Sequence, residues 1–135
     1  MSSTEGNSCI LVVDDDADIR DAVVEALNDE GYSAVARGDG ASALAYLKEH
    51  PDPALVLLDW NMAPMNGLSF VQELRRQGSP VPPIVLFSAD ARTEKVEWAG
   101  AVGFLKKPVP IDELYAYAQR YCGRPPRLNG EQRLV

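Results

Sequence analysis

Histidine occurs once in this chain and cysteine twice, so a Cys/His zinc site is excluded by count. The cysteines, Cys9 and Cys122, stand far apart in sequence, and a disulfide framework is not expected. No apolar run approaches the ~20 residues of a membrane span. The stretch Met1–Ser8 is polar, holds Glu5 and has no basic residue, unlike a signal peptide. Basic residues are in deficit: 13 Lys and Arg face 20 Asp and Glu, for a formal charge of −7. The deficit is uneven. Residues 123–135 hold Arg124, Arg127 and Arg133 against Glu131, a local +2, which leaves −9 on the first 122 residues. A domain this acidic is a poor binder of DNA or anionic membrane and tolerates a cation well.

What the chain does have is enough length for one domain: 135 residues, 46% of them hydrophobic. A chain of that size buries about two-thirds of its unfolded surface without a metal or disulfide staple. Apolar runs recur with amphipathic stretches between them. Ile10–Val13 is a buried-strand run ending in acids, followed by Ile19, Val23, Ala26 and Leu27 at helical spacing up to Gly31, a helix stop. Tyr32–Ala36 is weakly strand-like, and Asp39 can cap a helix that ends before Pro51. Ala54–Leu58 is a second buried-strand run closing on Asp59. A loop rich in Pro, Met, Asn and Gly leads to a helix over about 67–77. Ile84–Phe87 ends at Ser88, a short helix spans about 93–99, and Gly103–Lys107 precedes a last helix over 111–121. Five strand–helix units of this kind imply a parallel sheet covered on both faces. Residues 1–8 read as a disordered lead, 9–122 as the domain, and 123–135, with Pro125-Pro126, as a flexible basic tail.

In an open parallel sheet, ligands bind beyond the carboxyl ends of the strands. Those ends here are Asp14-Asp15-Asp16, Asp59, Ser88 and Lys107. Carboxylates gathered at one edge repel unless a cation sits among them. Mg²⁺ prefers one or two carboxylates, water and phosphate oxygens. A lysine and a hydroxyl opposite could hold phosphoryl oxygens, and phosphoryl transfer asks a protein mainly for positioning and charge neutralisation. Taken singly, the same residues have simpler uses. Asp16 or Asp18 suits a helix N-cap, Ser88 a turn, and Lys107 a solvated edge. Asp59 is harder to dismiss in this way: it follows five apolar residues, and Trp60-Asn61-Met62-Ala63-Pro64 does not read as a regular helix start.

The strings Leu11-Val12-Val13-Asp14-Asp15-Asp16, Leu57-Leu58-Asp59-Trp60-Asn61-Met62, Phe87-Ser88-Ala89 and Lys107-Pro108 resemble the receiver domain of two-component response regulators over residues 9–122. Asp59-Trp60-Asn61-Met62 is most similar to the stand-alone chemotaxis-type members. The resemblance implies a doubly wound, flavodoxin-like α/β fold with strand order 2-1-3-4-5. It implies Asp59 as phosphoacceptor and Mg²⁺ held by Asp14, Asp15, Asp59 and the backbone carbonyl of Asn61. Ser88 and Lys107 would each hold a phosphoryl oxygen, and Lys107–Pro108 would be cis. Ser88 and Phe104 would form the switch, with Asn61 and Asp90 tuning loss of the phosphoryl group. A histidine kinase or phosphotransfer protein would be the donor and an unidentified downstream protein the target, in the cytoplasm, without nucleic acid or membrane. A homodimer is open, and no enzymatic turnover beyond self-phosphorylation and self-dephosphorylation is expected.

Three departures stand out. The loop proline has moved one place, so that it restricts Ala63 rather than Met62 and offers the loop another path. Phe104 lacks the hydroxyl of the commoner tyrosine. Ser88 and Lys107 are 19 positions apart, short of the usual spacing by close to one helical turn of ~3.6 residues. A shortened fourth helix, and with it an altered partner or dimer face, is the expectation. Two other readings compete. A haloacid-dehalogenase-like phosphatase would use Asp14-Asp15-Asp16, Ser88 and Lys107 but leaves Asp59 unexplained. A pseudo-receiver would keep the fold as a binding module without regulation by phosphorylation. Elsewhere, His50 reads as a helix C-cap and Arg75-Arg76 as a solvated pair. Trp98 reads either as core or as exposed. Tyr115, Tyr117 and Tyr121 span more than one helix face, so that some are expected to be exposed and available for interaction.

Overall fold

The computed structural model describes residues 10–78, 80–90 and 94–123, without the side chains of 94, 95 and 98. The expected disordered lead, the tail beyond Gly123, the helix start at Thr93 and the choice for Trp98 lie outside that description. Five strands, β1 (Ile10–Val13), β2 (Ala34–Arg37), β3 (Leu55–Asp59), β4 (Ile84–Ser88) and β5 (Gly103–Lys106), alternate with five helices. These are α1 (Ala17–Asp29), α2 (Gly40–Glu49), α3 (Gly67–Arg76), α4 (Glu94–Ala99) and α5 (Ile111–Cys122). All four strand pairings are parallel and the sheet order is β2-β1-β3-β4-β5, the doubly wound order expected.

Alternate side chains of each strand point to opposite faces, and two cores result. Leu11, Val13, Val56, Leu58 and Leu86 pack with Leu44, Leu47, Phe70, Val71 and Leu74 of α2 and α3. Ile10, Val12, Leu55, Leu57, Val85 and Phe87 pack with Val23 and Leu27 of α1 and Leu114 and Ala118 of α5. The central strands are buried on both sides, which is why they read as unbroken apolar runs.

The helix ends follow from capping chemistry. The Asp16 carboxylate accepts from the N–H groups of Asp18 and Ile19, Asp39 from Ser42, and Asn66 from Ser69. Beyond α1, Gly31 takes a φ of 99°, a left-handed turn suited to glycine. Its neighbour Tyr32 is buried rather than part of β2, which begins two residues later. His50 caps α2 as expected, its N–H bonded to Tyr46 and its ring stacked 4.5 Å from that tyrosine.

Several local readings change in three dimensions. None of the three α5 tyrosines is exposed: Tyr115, Tyr117 and Tyr121 all pack against the second core, and the Tyr115 hydroxyl donates to the Ala26 carbonyl. Long side chains reach the sheet from positions that a helical projection places at the margin. Arg75 is not merely solvated; it donates to the Ala99 carbonyl at 2.9 Å and closes the end of the six-residue α4. Cys122 is disulfide-bonded. The other cysteine of the chain, Cys9, lies outside the described residues. Sequence distance misleads because α5 runs back along the sheet, so that Cys122 packs in the same core as Ile10 and the Tyr32 hydroxyl reaches the Gly123 carbonyl. Among the described residues no helix is long and apolar enough to cross a membrane.

The disulfide adds stability by constraining the unfolded chain, typically by about 2–4 kcal/mol. Cys122→Ser is expected to lower the melting temperature by several degrees, and a dithiol reductant to bring the unsubstituted protein to the same value. Equal melting of both proteins under oxidising conditions would contradict this.

Candidate functional site

The strand register decides how near the candidate residues come. Val13 pairs with Leu58, Asp59 with Phe87 and Ser88 with Lys106. Asp14, Asp59, Ser88 and Lys107 therefore close or directly follow β1, β3, β4 and β5 at one edge of the sheet. Asp14 and Ser88 are 0% exposed and Asp59 is 1% exposed. Asp15 stands outside them, exposed to solvent.

One carboxylate oxygen each from Asp14, Asp15 and Asp59 lies within 4.8 Å of the others. Lys107 Nζ reaches between the two buried acids, 3.1 Å from Asp14 Oδ2 and 3.2 Å from Asp59 Oδ1. The contact with Asp59 is a hydrogen bond. Asp14 Oδ2, by contrast, is buried and accepts no directed hydrogen bond. Its companion Oδ1 accepts from the Asp16 N–H at 2.9 Å. A buried carboxylate oxygen held by charge alone, with two further carboxylates in reach, is a donor set that fits a hard divalent cation.

Around this centre the backbone is tightly specified. The Asn61 N–H donates to Asp59 Oδ1 at 3.2 Å, and the Asp90 N–H to Ser88 Oγ at 3.0 Å. The side chains of Asn61 and Asp90 are exposed at the rim. Lys107 is placed by its own N–H bonded to the Ser88 carbonyl, and the Lys107–Pro108 bond is cis, as the resemblance implies. The β3–α3 loop closes through the Gly67 N–H on the Trp60 carbonyl. A Cβ at Gly67 would lie 3.0 Å from Trp60 Cα and 3.1 Å from the Asp59 carbonyl oxygen, so a side chain here would push the loop backbone away by a few tenths of an ångström. Ala63–Pro64 is cis, and the loop carries Met65 onto Gly40 at the start of α2. Phe104 is half-buried and packs against the α2–α3 side of the sheet.

The electrostatics reflect crowding of like charges. Burial first, and the Asp14 charge second, raise the pKa of Asp59, against the opposing pull of Lys107 and the Asn61 N–H. Burial disfavours the Lys107 ammonium, but Asp14 and Asp59 outweigh it and its pKa is raised. Asp59 therefore holds its proton more tightly folded than unfolded. Where the folded form binds more protons, stability falls as pH rises, so ionised Asp59 costs stability above its folded pKa.

The sequence pattern missed one neighbour of the centre. Arg20, one turn into α1, returns its guanidinium to the Asp14 carbonyl at 3.0 Å. Arginine at a half-exposed helix position carries no signal of such a contact.

The geometry thus defines a polar centre at the carboxyl edge of a doubly wound sheet, built of acids, a lysine and a hydroxyl. Residues 10–119 match the family model described as the response regulator receiver domain. The alkaline phosphatase synthesis transcriptional regulatory protein SphR of Synechococcus elongatus is 40% identical over 121 residues, covering 81% of this chain and 46% of that protein. Response regulator MprA of Mycobacterium avium is 38% identical over 109 residues, covering 79% and 47%. The chain thus spans about half the length of the curated relatives it matches. Among solved structures, the chemotaxis protein CheY4 of Vibrio cholerae superposes with a TM-score of 0.76 at 32% identity, covering 85% of this chain and 98% of that one. The NtrX receiver domain of Brucella abortus gives 0.73 at 38% identity, with 83% and 96% covered. The chain belongs to the response regulator receiver domain family of two-component signalling. The phosphatase alternative falls with this result.

Asp59→Asn removes one of two crowded buried charges. It is expected to raise the melting temperature of the metal-free protein at neutral pH by a few degrees, the gain shrinking as acid protonates Asp59 in the unsubstituted protein. Lys107→Ala, which leaves the acids without their counter-ion, should move it the other way. Thermal unfolding at two pH values measures both; a lower melting temperature for Asp59→Asn at neutral pH would contradict the crowding.

Proposed function

We propose that this chain acts as the receiver of a response regulator, a switch in which Asp59 accepts a phosphoryl group from a histidine kinase or phosphotransfer protein. The observation that carries this reading is the position of Lys107 between Asp14 and Asp59, with the Ser88 hydroxyl beside them at the same strand edge. A carboxylate oxygen of Asp59 attacks the phosphorus, the new P–O bond forms as the donor's P–N bond breaks, and the electron pair leaves with the imidazole nitrogen. Lys107 neutralises charge on the transferred oxygens. The Ser88 hydroxyl, its oxygen oriented by the Asp90 N–H, donates to one of them.

Asp14, Asp15, Asp59 and the Asn61 carbonyl are the residues that would hold Mg²⁺, which when bound polarises the phosphoryl oxygens. An apolar groove of about 310 Å³, lined by Ile19, Val23, Lys107, Pro108, Val109 and Ile111, opens beside the centre and offers a protein donor a surface to rest on. The exposure of Asn61 and Asp90 at the rim supports a role for both in tuning the approach of the water that hydrolyses the acyl phosphate. Ser88 and Phe104 form the switch that couples this chemistry to the β4–β5 side, and the short α4 supports a partner or dimer face that differs from the family's usual one. Output is by protein contact, and no turnover of a separate substrate is assigned.

The test is Mg²⁺-dependent labelling by a small phosphodonor such as a phosphoramidate, with Trp60 fluorescence followed during titration with Mg²⁺ and beryllium fluoride. The expected result is labelling that disappears on chelation and in Asp59→Asn. Labelling of Asp59→Asn at the rate of the unsubstituted protein would overturn the assignment. A protein silent in both assays would be a pseudo-receiver.

A further inference from the structure

The Asp15 carboxylate is exposed, with one oxygen within 4.8 Å of carboxylate oxygens of Asp14 and Asp59. Where it can reach depends on the backbone that carries it. That backbone is held on either side: the Asp14 N–H bonds to the Arg37 carbonyl at 3.3 Å, and the Asp16 N–H to Asp14 Oδ1 at 2.9 Å. The peptide joining Asp14 to Asp15 has its own restraint, the hydrogen bond from Arg20 Nη1 to the Asp14 carbonyl oxygen at 3.0 Å.

To make that bond the Arg20 guanidinium must lie across Gly38, between β2 and α2. A Cβ at position 38 would stand 2.8 Å from Nη1 and 3.4 Å from Cζ. Gly38 is not among the glycines with positive φ, so its backbone conformation is open to any residue. What the position needs is room. Since the obstructing atoms are the far end of a flexible side chain, a methyl group there displaces Arg20 rather than the sheet.

We propose that Arg20 is a positioning residue for the cation site: by fixing the Asp14–Asp15 peptide through the space left by Gly38, it aims Asp15 at Asp14 and Asp59. The proposal rests on the reading of that centre as a divalent-cation site. It also runs against the simplest electrostatic expectation, in which a cationic side chain near the carboxylates weakens cation binding by repulsion. The two differ in sign, which makes them separable.

The experiment is a Mg²⁺ titration, followed by Trp60 fluorescence and by thermal shift, on the unsubstituted protein, Arg20→Ala, Gly38→Ala and the double variant. Outer residues that orient metal ligands typically contribute about tenfold or more in affinity. Arg20→Ala and Gly38→Ala are each expected to raise the Mg²⁺ Kd by about that factor. The double variant should match Arg20→Ala alone, since Gly38 acts only through the guanidinium. Melting temperatures without metal should stay close to the starting value, and labelling by phosphoramidate at saturating Mg²⁺ should recover the original rate. An unchanged Kd in both single variants, a tighter Kd in Arg20→Ala, or additive effects in the double variant would each overturn the role of Arg20. If Arg20→Ala did not fold, the Kd of Gly38→Ala alone would decide, an unchanged value overturning the proposal. Absence of any Mg²⁺ response in the unsubstituted protein would instead defeat the cation-site reading itself, and the positioning role with it.

Discussion

Two carboxylates, Asp14 and Asp59, are held side by side and out of water at the end of a parallel sheet, with one lysine between them. The rest of the molecule is arranged around that unfavourable meeting. Parallel strands in register bring their carboxyl ends to a common edge whatever residues occupy them, and the apolar runs that bury both sheet faces also bury whatever follows. The fold thus supplies the crowding, and Lys107, delivered by β5, makes it tolerable. Packing energy spread over two cores sustains an electrostatic arrangement that would not assemble by itself.

The parts of this molecule that were readable from sequence are those whose cause is local. Ile10–Val13 and Leu55–Leu58 are apolar because their strands are covered twice, and Asp16 and Asp39 cap helices through bonds spanning two or three residues. The clustering of Asp14, Asp59, Ser88 and Lys107 was also within reach, because strand alternation with a known crossover rule places all strand ends on one side. What escaped were contacts between segments whose spacing says nothing. Arg75 on the end of α4, Arg20 across Gly38, and Tyr115 on α1 are long side chains reaching between elements. The bonded state of Cys122 belongs with them, since separation along the chain ceases to measure distance once α5 folds back.

The short fourth helix illustrates how a local deficit is compensated from elsewhere. Six residues make a helix too short to sustain itself by its own hydrogen bonds. Its last carbonyl is met by Arg75 of α3, Ala99 is buried in the core shared with α3, and the Ala101 N–H returns to the Val96 carbonyl. α4 is therefore anchored on its neighbour rather than standing as an independent element. A partner that reads this region meets a surface set jointly by α3 and α4.

The doubly paired Lys107 also sets a charge parity at the centre. With Asp14, Asp15 and Asp59 ionised and Lys107 protonated, these four side chains sum to two negative charges, the amount that one divalent cation cancels. In the proposed cycle, converting the Asp59 carboxylate to an acyl phosphate adds one negative charge to a centre then at balance. The message passed to the rest of the fold is thus a single uncompensated charge at a buried strand edge, where the surrounding protein screens it far less than water would. A lysine facing only one acid, or a fourth carboxylate in the cluster, would shift that zero point, and the same covalent event would then no longer mark the passage from neutral to charged.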